Sequence, residues 1–372
     1  MTENKPYQDA IELLQKLIAT PSFSKDEDKT ADIIEQFFSE KNIPSNRLLN
    51  NVWCVNKNFD ETKPTILLNS HHDTVKPNPQ YTKDPFSPII EDGKLFGLGS
   101  NDAGGCLVSL IAAFCHFYEK ENLKYNLVIA ATAEEEISGA NGIEKLLASA
   151  EFNSQILSGV ERRGLGGTWS IWGVIVGEPT LNNLAIAEKG LLVLDCTATG
   201  KAGHAAREEG ENAVYKAMAD ISWFQTYQFS KVSESLGPIK MSVTSINTEN
   251  KTHNVVPALC SFMVDIRVTD AYTHEDILET IKQHIQSEVK PRSMRLRSSK
   301  IEKDHPLVQA GIKLGKQMYG SPTTSDAALI PAPVLKCGPG DSARSHTADE
   351  FIYLKDIGEG IDTYIKILEQ VV

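Results

Sequence analysis

The sequence predicts a two-domain α/β protein, in which a sheet rich in parallel strands is interrupted by a compact α+β insert. Its 372 residues exceed what one compact core usually holds. Short apolar strands alternate with helices early in the chain, and the pattern returns with "APVLKCGPG" near the end. In between the alternation changes, so we place the insert at 182–298, with 1–181 and 299–372 forming the discontinuous first domain.

In the first domain, hydrophobic patterns predict the elements in order. Apolar residues at helical spacing in "YQDAIELLQKLIA" and "DKTADIIEQFFSEKN" predict two amphipathic helices. The stretch "GGCLVSLIAAFCHFY" is apolar almost all round and predicts a buried helix, and "GANGIEKLLASA" predicts another helix. Short buried strands are predicted at "PTILLNS", "YNLVIAA", "WGVIVGEPT" and "APVLKCGPG". The Gly-rich stretch at 158–173 predicts an irregular surface loop.

Within the insert, strands and two helices are predicted. The alternating segment "LAIAEKGLLVLDCTATG" indicates strand structure, as do "IKMSVTSINTE" and "NVVPALCSFMVDIRVTD". The helices are predicted at "NAVYKAMADISWFQTYQ" and "HEDILETIKQHIQSEV". Two helices among several strands indicate a compact α+β domain.

Composition excludes several classes of partner and location. The net charge of −12 argues against nucleic acid and anionic membranes as partners. No apolar run approaches the ~20 residues of a membrane span, and the polar amino terminus does not resemble a signal peptide. The six cysteines are scattered without a CxxC pair, which indicates buried free thiols in a reducing cytoplasm.

Candidate metal ligands follow the predicted strands of the first domain. In open α/β sheets, ligands gather beyond the carboxyl ends of the strands, so these side chains should meet on one face of one sheet. They are His71, His72 and Asp73, then Asp102, then Glu134, Glu135 and Glu136, then Glu178, and finally His346. Imidazole and carboxylate without thiolate suit zinc, cobalt or manganese, and a bridging carboxylate is usual in two-metal hydrolytic sites.

Each of these residues also has a simpler interpretation. An acidic triplet is often a solvated loop, a lone histidine is often a satisfied surface or core residue, and an aspartate in a Gly-rich loop often makes a turn. The joint pattern favours the metal site. Residues two apart in an extended chain share a face, so His71 and Asp73 point together and His72 points away. We therefore predict His71 as a ligand and Asp73 as the partner that fixes its tautomer.

The motifs resemble metallopeptidase family M20. They occur in the family's order and cover almost the whole chain: "NSHHDTV", "GLGSNDAGG", "TAEEEIS", "VGEPT", "GKAGHAA", "NVVP" and "GPGDSARSHTADEF". The last string is most similar to the acetylornithine and acetylcitrulline deacetylase branch. The resemblance implies a di-metal aminopeptidase-like catalytic domain with a ferredoxin-like insert that serves dimerisation and covers the site.

The resemblance also implies a role for each matching residue. It implies two divalent metal ions, zinc first, with cobalt or manganese as alternatives. The implied metal ligands are His71 and Glu178 for one ion, Glu136 and His346 for the other, and Asp102 as the bridge. Glu135 matches the general base, and His204 matches an insert histidine that reaches the partner subunit's active site. Asn254 and Arg267 match positions that contact the substrate carboxylate or oxyanion.

One position departs from the family pattern, because Gly104 stands where the family often has lysine. The function that the resemblance implies is hydrolysis of the amide bond of an N-acetyl- or N-succinyl-ornithine or -citrulline, a small-molecule substrate of arginine biosynthesis, by a homodimer. Alternatives are a succinyl-diaminopimelate desuccinylase, a dipeptidase or carboxypeptidase of the same family, and a non-catalytic metal-binding protein.

Overall fold

The computed structural model describes residues 5–156, 171–207 and 209–372, and the chain divides into two compact units. Unit 1 comprises Met1–Ala187, Lys300–Tyr319 and Ser325–Val372, and unit 2 comprises Glu188–Ser299 and Gly320–Thr324. Most of the predicted loop, 158–170, lies outside the described residues. Its last three residues, 171–173, instead begin a strand. None of the helices in the described ranges is both long and apolar enough to cross a bilayer.

The α-helices of the described residues number nine, and they include those predicted from hydrophobic periodicity. They are α1 (Lys5–Ile18), α2 (Asp28–Glu40), α3 (Gly105–Phe117), α4 (Ile143–Ala148), α5 (Ala150–Ile156), α6 (Ala213–Thr226), α7 (His274–His284), α8 (Pro306–Lys313) and α9 (Leu354–Glu369). Helix α3 is buried over almost its whole length, as its uniformly apolar sequence predicted.

The strands of the described residues fall into four sheets. They are β1 (Asn46–Leu48), β2 (Asn51–Val55), β3 (Thr65–His71), β4 (Ile89–Glu91), β5 (Lys94–Phe96), β6 (Asn126–Thr132), β7 (Ile171–Val176), β8 (Leu184–Glu188), β9 (Gly190–Thr199), β10 (Gly203–His204), β11 (Lys240–Thr248), β12 (Val255–Val256), β13 (Leu259–Val268), β14 (Glu288–Pro291), β15 (Ser299–Lys300), β16 (Met318–Ser321), β17 (Val334–Lys336) and β18 (Phe351–Tyr353).

The large sheet of unit 1 carries the four predicted strands side by side, in the order β6-β3-β7-β17, and all three pairings are parallel. Strand β2 adds to β6 in the antiparallel sense, and β8 adds to β17 likewise. Helices α1, α3 and α9 share one hydrophobic cluster with the sheet, and α4 and α5 share another. Buried central strands between helices are the expected state of a parallel sheet.

Unit 2 contains an antiparallel sheet in the order β11-β13-β9-β14 and the two helices α6 and α7. One hydrophobic cluster joins both helices to the sheet. Strand β9 alternates buried and half-buried residues, as a sheet covered on one face requires. Thr273 and Asp276 form a reciprocal capping box at the start of α7. Unit 2 is thus the α+β structure that the sequence predicted for the insert.

The unit boundaries differ from the predicted limits in three places, the smallest of which is Ser299, which was assigned to the first domain but lies in unit 2. Residues 182–187 were assigned to the insert, but they lie in unit 1, because β8 pairs with β17 through Ala185 and Lys336. Residues Gly320–Thr324 were assigned to the first domain, but they cluster with unit 2. Alternating apolar residues mark both β8 and β9 as strands, so the sequence carried no signal for the change of sheet between them.

Candidate metal centre

His71 is the last residue of β3, and its imidazole is 1% exposed. Its Nδ1 donates a hydrogen bond to the main-chain oxygen of Asp73 at 3.0 Å. That donation leaves Nε2 as the acceptor nitrogen, and Nε2 is buried without a hydrogen-bond partner among the described residues. An orphaned imidazole nitrogen inside a protein is costly, and a bound cation would satisfy it.

Three carboxylates face this nitrogen. Nε2 of His71 lies 3.5 Å from Oδ1 of Asp102, 3.7 Å from Oε1 of Glu178 and 3.8 Å from Oε2 of Glu135. Burial lowers the pKa of His71, but the charge of Glu135 and the contacts with Asp102 and Asp73 raise it, and the net pKa lies well above its ordinary value. The pocket therefore favours positive charge, which a proton or a metal ion can supply.

A second imidazole lies on the other side of Asp102. Nε2 of His346 lies 3.0 Å from Oε2 of Glu136 and 3.7 Å from Oδ2 of Asp102. The hydrogen bond with Glu136 raises the pKa of His346 to about 9. Asp102 thus turns one oxygen toward each histidine, which is the arrangement that a bridging ligand needs.

The donor set fits a divalent metal. Potential ligand atoms of His71, Asp102 and Glu136 lie within 4.8 Å of one another, and so do those of His71, Glu135 and Glu178. Imidazole and carboxylate are suitable ligands for zinc, cobalt or manganese. Glu135 and Glu178 lie almost equally far from His71, so distance alone does not separate the predicted base from the predicted ligand.

Asp73 positions the acidic loop that follows β6. Its Oδ1 accepts the main-chain N–H of Glu135 at 3.0 Å, and its Oδ2 accepts the main-chain N–H of Glu136 at 3.1 Å. Oδ2 also accepts the hydroxyl of Ser24 at 2.7 Å, while Oδ1 lies 3.4 Å from Nδ1 of His71. The sequence predicted only the partnership with His71. The anchoring of the loop depends on main-chain amides, which carry no signal in the sequence.

The three glutamates of the triplet have different surroundings. Glu134 has a φ of +56°, and its Oε1 accepts a hydrogen bond from the side-chain amide of Asn141 at 2.8 Å, so it supports the turn. Burial raises the pKa of Glu135 well above its ordinary value, and the charges of Glu178 and Asp326 add to this effect. Glu136 bonds to His346. Adjacent carboxylates coexist because each meets a different partner.

His72 points away from the cluster, as predicted from strand alternation. Its Nε2 lies 2.8 Å from the main-chain oxygen of Asn50, and its Nδ1 lies 2.9 Å from Oγ1 of Thr30. Burial lowers the pKa of His72 to about 4. It is a buried residue that joins the chain after β3 to Thr30 of α2 and to the main chain at Asn50.

Asp102 is not at the end of a strand in the large sheet, which corrects the prediction that all the candidate ligands follow strands of one sheet. It lies in the turn Ser100–Gly104, directly before α3, and the preceding strand β5 belongs to a small sheet with β4 and β18. The turn is held by Glu350, whose carboxylate accepts main-chain N–H groups from Gly99, Asn101 and Asp102. Burial and the charge of Asp102 raise the pKa of Glu350 to about 8.

Another acidic residue that the sequence did not single out lies near the cluster. Asp326 is buried, and its Oδ2 accepts hydrogen bonds from Nδ2 of Asn69 at 2.9 Å and Oγ1 of Thr132 at 2.7 Å. Burial raises its pKa to about 6. Neither Asp326 nor Glu350 follows a predicted strand, which is why the strand-end argument missed both.

The remaining predicted residues lie in unit 2. His204 is exposed on β10, its Nδ1 accepts the N–H of Ala206 at 3.1 Å, and the main-chain oxygen of Asn254 accepts the N–H of Ala205 at 2.9 Å. The structure therefore brings His204 and Asn254 close together. Arg267 lies on β13 and forms two hydrogen bonds with the carboxylate of Asp265, at 2.9 and 3.1 Å. The roles of these three residues stay predictions.

Comparisons with known proteins agree with this architecture. The acetylornithine deacetylase of Buchnera aphidicola subsp. Schizaphis graminum (strain Sg) is 26% identical over 92% of this chain and 92% of its own length. The succinyl-diaminopimelate desuccinylase 2 of Ruegeria sp. (strain TM1040) is 26% identical over 74% of this chain and 69% of its own length. A crystal structure of a dinuclear metal binding M20 peptidase from Bacillus subtilis superimposes with a TM-score of 0.68, at 16% identity and 98% coverage of both chains. The sequence profile described as peptidase family M20/M25/M40 matches residues 67–370, and the chain belongs to this family.

Proposed function

We propose that this family M20 amidohydrolase hydrolyses the amide bond of an N-acyl-L-amino acid, with N-acetyl- or N-succinyl-ornithine or -citrulline as the substrate class. The observation that carries the proposal is the buried Nε2 of His71, which has no hydrogen-bond partner among the described residues and faces the carboxylates of Asp102, Glu135 and Glu178. The acetylornithine deacetylase that matches over 92% of this chain supports the substrate class. The reaction would belong to arginine biosynthesis and would take place in the cytoplasm.

Two divalent metal ions would be held by the residues around Asp102. His71 and Glu178 would hold one ion, His346 and Glu136 the other, and Asp102 would contact both. When bound, such ions supply Lewis acidity that polarises the amide carbonyl and lowers the pKa of water from 15.7 toward ~7. We propose zinc as the native metal, with cobalt or manganese as alternatives. The dinuclear metal binding peptidase of similar fold supports two ions.

Glu135 would act as the general base. Its carboxylate faces His71 rather than bonding to His346, and burial raises its pKa, which suits a group that accepts and returns a proton. It would take a proton from the attacking water and deliver it to the leaving amine. Asp73 would keep this carboxylate in place through the main-chain amides of Glu135 and Glu136.

Unit 2 would complete the site in a homodimer. We propose that His204 stabilises the developing oxyanion of the partner subunit, a contribution worth roughly 3 kcal/mol for one donor. Asn254, which lies beside His204, and Arg267 would contact the substrate carboxylate or the oxyanion. Because Asp265 already engages Arg267, substrate binding would have to compete with that ion pair.

The second candidate is succinyl-diaminopimelate desuccinylase activity, which the relative from Ruegeria sp. favours at equal identity. The test is amine release from N-acetyl-ornithine, N-succinyl-ornithine, N-acetyl-citrulline, N-succinyl-diaminopimelate and several dipeptides, each with zinc or cobalt and again with chelator. Chelator-sensitive hydrolysis of an ornithine or citrulline derivative supports the proposal. Hydrolysis of N-succinyl-diaminopimelate alone, or of dipeptides alone, would replace it with the corresponding alternative.

A further inference from the structure

Glu350 is a buried carboxylate, 2% exposed, that contacts the turn carrying the shared ligand. Its Oε1 accepts the N–H of Asn101 at 2.8 Å and the N–H of Asp102 at 2.9 Å, and its Oε2 accepts the N–H of Gly99 at 3.1 Å. We propose that Glu350 is a positioning residue that fixes Asp102 between the two histidines and thereby sets the affinity of the site for its second metal ion. This inference rests on the proposed metal-binding role of Asp102.

The three amides define the path of the backbone at Asp102. They belong to one tight turn, in which Gly99 has a φ of +74° and the N–H of Gly104 closes onto the main-chain oxygen of Gly99 at 2.9 Å. A carboxylate that binds three amides of the same turn allows it few alternative conformations. Since Asp102 presents one oxygen to each histidine, a small rotation of this turn would break one of the two contacts.

Glu350 also connects this turn to the segment that carries His346. It follows His346 by four residues, and its own main-chain oxygen accepts the N–H of Gly97 at 3.0 Å. The turn of Asp102 and the segment of His346 are therefore joined at one residue. That connection fixes the distance of 3.7 Å between Oδ2 of Asp102 and Nε2 of His346.

The neighbouring residue Asp349 provides a matched control. Its Oδ1 accepts the N–H groups of Thr82 and Lys83 at 2.8 and 2.9 Å, and its Oδ2 accepts the hydroxyl of Thr82 at 2.6 Å. Asp349 and Glu350 thus each accept three hydrogen bonds from a distant segment. Only Glu350, of these two residues, binds the turn that carries Asp102. If loss of any such contact weakens metal binding, substitution of either residue should do so. If positioning of Asp102 matters, only substitution of Glu350 should weaken it.

The experiment measures metal affinity rather than activity. Wild type, Glu350→Gln and Asp349→Asn are stripped with chelator, checked for folding by circular dichroism, and titrated calorimetrically with Zn²⁺ and Co²⁺. In Glu350→Gln an NH₂ group replaces one acceptor oxygen and meets amide donors, so the turn is displaced. We expect its affinity for one of the two ions to fall about 10- to 100-fold, the range for partners that orient ligands, and Asp349→Asn to match wild type.

The outcomes separate this inference from the proposed function. A wild-type protein that binds no ion contradicts the proposed function itself. Two ions bound by wild type, with unchanged affinity in Glu350→Gln or an equal loss in both variants, overturns the positioning role. If Glu350→Gln does not fold, Glu350→Asp, which keeps the charge and shortens the side chain, takes its place and should show a smaller loss of affinity. If neither variant folds, Glu350 serves folding and the proposal is withdrawn.

Discussion

At the residue scale, Glu135 and Glu136 are neighbours in sequence with different electrostatic surroundings. Glu136 bonds to His346, whereas Glu135 faces His71 and feels the charges of Glu178 and Asp326. This difference supports the proposed roles of Glu135 in proton transfer and Glu136 in metal ligation, which their distances from the histidines do not distinguish.

Replacing Glu135 with glutamine should therefore lower kcat strongly without releasing metal. The amide keeps the shape of the side chain but cannot accept a proton, and general-base catalysis typically contributes 10²- to 10⁴-fold, so we expect kcat to fall by about that factor. Metal content, measured by atomic emission, should equal that of wild type. Glu134→Gln is the control, because its amide oxygen can still accept the hydrogen bond from Asn141. Equal losses of kcat in both variants would contradict the assignment.

His72 should make the free energy of unfolding depend on pH. Its pKa is lowered from 6.5 to about 4 by burial, so as the pH falls the unfolded chain binds a proton before the folded protein does. The contribution of neutral His72 to the free energy of unfolding is therefore fully present above pH ~6.5. It decreases by roughly 3 kcal/mol as the pH falls toward ~4.

Urea unfolding of metal-free protein at several pH values in this window tests the effect. We expect His72→Gln to be less stable than wild type at pH 7 but to lose less stability on acidification, because glutamine does not titrate. The same decrease in both proteins would show that other groups cause the acid sensitivity.

The strand-end argument found the metal-binding candidates and Asp73, but it found neither Asp326 nor Glu350, nor the bonds from Asp73 to the acidic loop. His71, Glu136, Glu178 and His346 follow predicted parallel strands, and the structure brings them together. Asp73, Asp326 and Glu350 act through main-chain amides or through polar partners distant in sequence, such as Asn69. Contacts of that kind form only in the folded protein, and no local sequence pattern predicts them.

At the element scale, the turn before α3 explains why glycine stands at position 104. A Cβ there would lie 2.5 Å from the main-chain oxygen of Gly99 and 2.6 Å from Cδ1 of Leu14. The sequence alone showed only that the lysine often found in the family is missing. The structure shows that any side chain would displace the turn that carries Asp102.

Gly104→Ala should accordingly destabilise the protein by about 1–3 kcal/mol, the usual cost of overpacking, and weaken metal binding. Gly358→Ala in α9 is the control, since its Cβ would lie 3.4 Å from Tyr7, an ordinary contact, and alanine favours a helix over glycine by up to ~1 kcal/mol. Thermal unfolding of the metal-free proteins should show a lower midpoint for the first variant and an unchanged or higher one for the second. A Gly104→Ala protein as stable as wild type would mean that the turn adjusts freely.

The elements themselves were predictable to different degrees. The parallel strands and α3 were clear because complete burial leaves long apolar runs. The small sheet of β4, β5 and β18 was not predicted, because each strand has only three residues and β18 pairs with β5 across some 250 residues of sequence. Short strands of this kind depend on their partners rather than on their own sequence.

At the scale of the whole molecule, the division into two units explains why the proposed mechanism needs a dimer. Unit 1 contains all five proposed metal ligands and Glu135, whereas His204 belongs to unit 2. If unit 2 of one subunit serves the metal centre of the other, each active site needs one residue from each chain. The arrangement can be tested with dimers in which the two chains carry different substitutions.

Heterodimers with a different affinity tag on each chain should report which chain supplies His204. In a dimer of Glu135→Ala with His204→Ala, one site combines an intact Glu135 with the partner's intact His204, so we expect about half of the wild-type activity. In a dimer of wild type with the Glu135→Ala, His204→Ala double variant, neither site is complete, so we expect almost none. Action of His204 within its own subunit predicts the reverse in both dimers. Because both heterodimers contain the same two substitutions and differ only in how the chains share them, the comparison is independent of what each substitution does to stability.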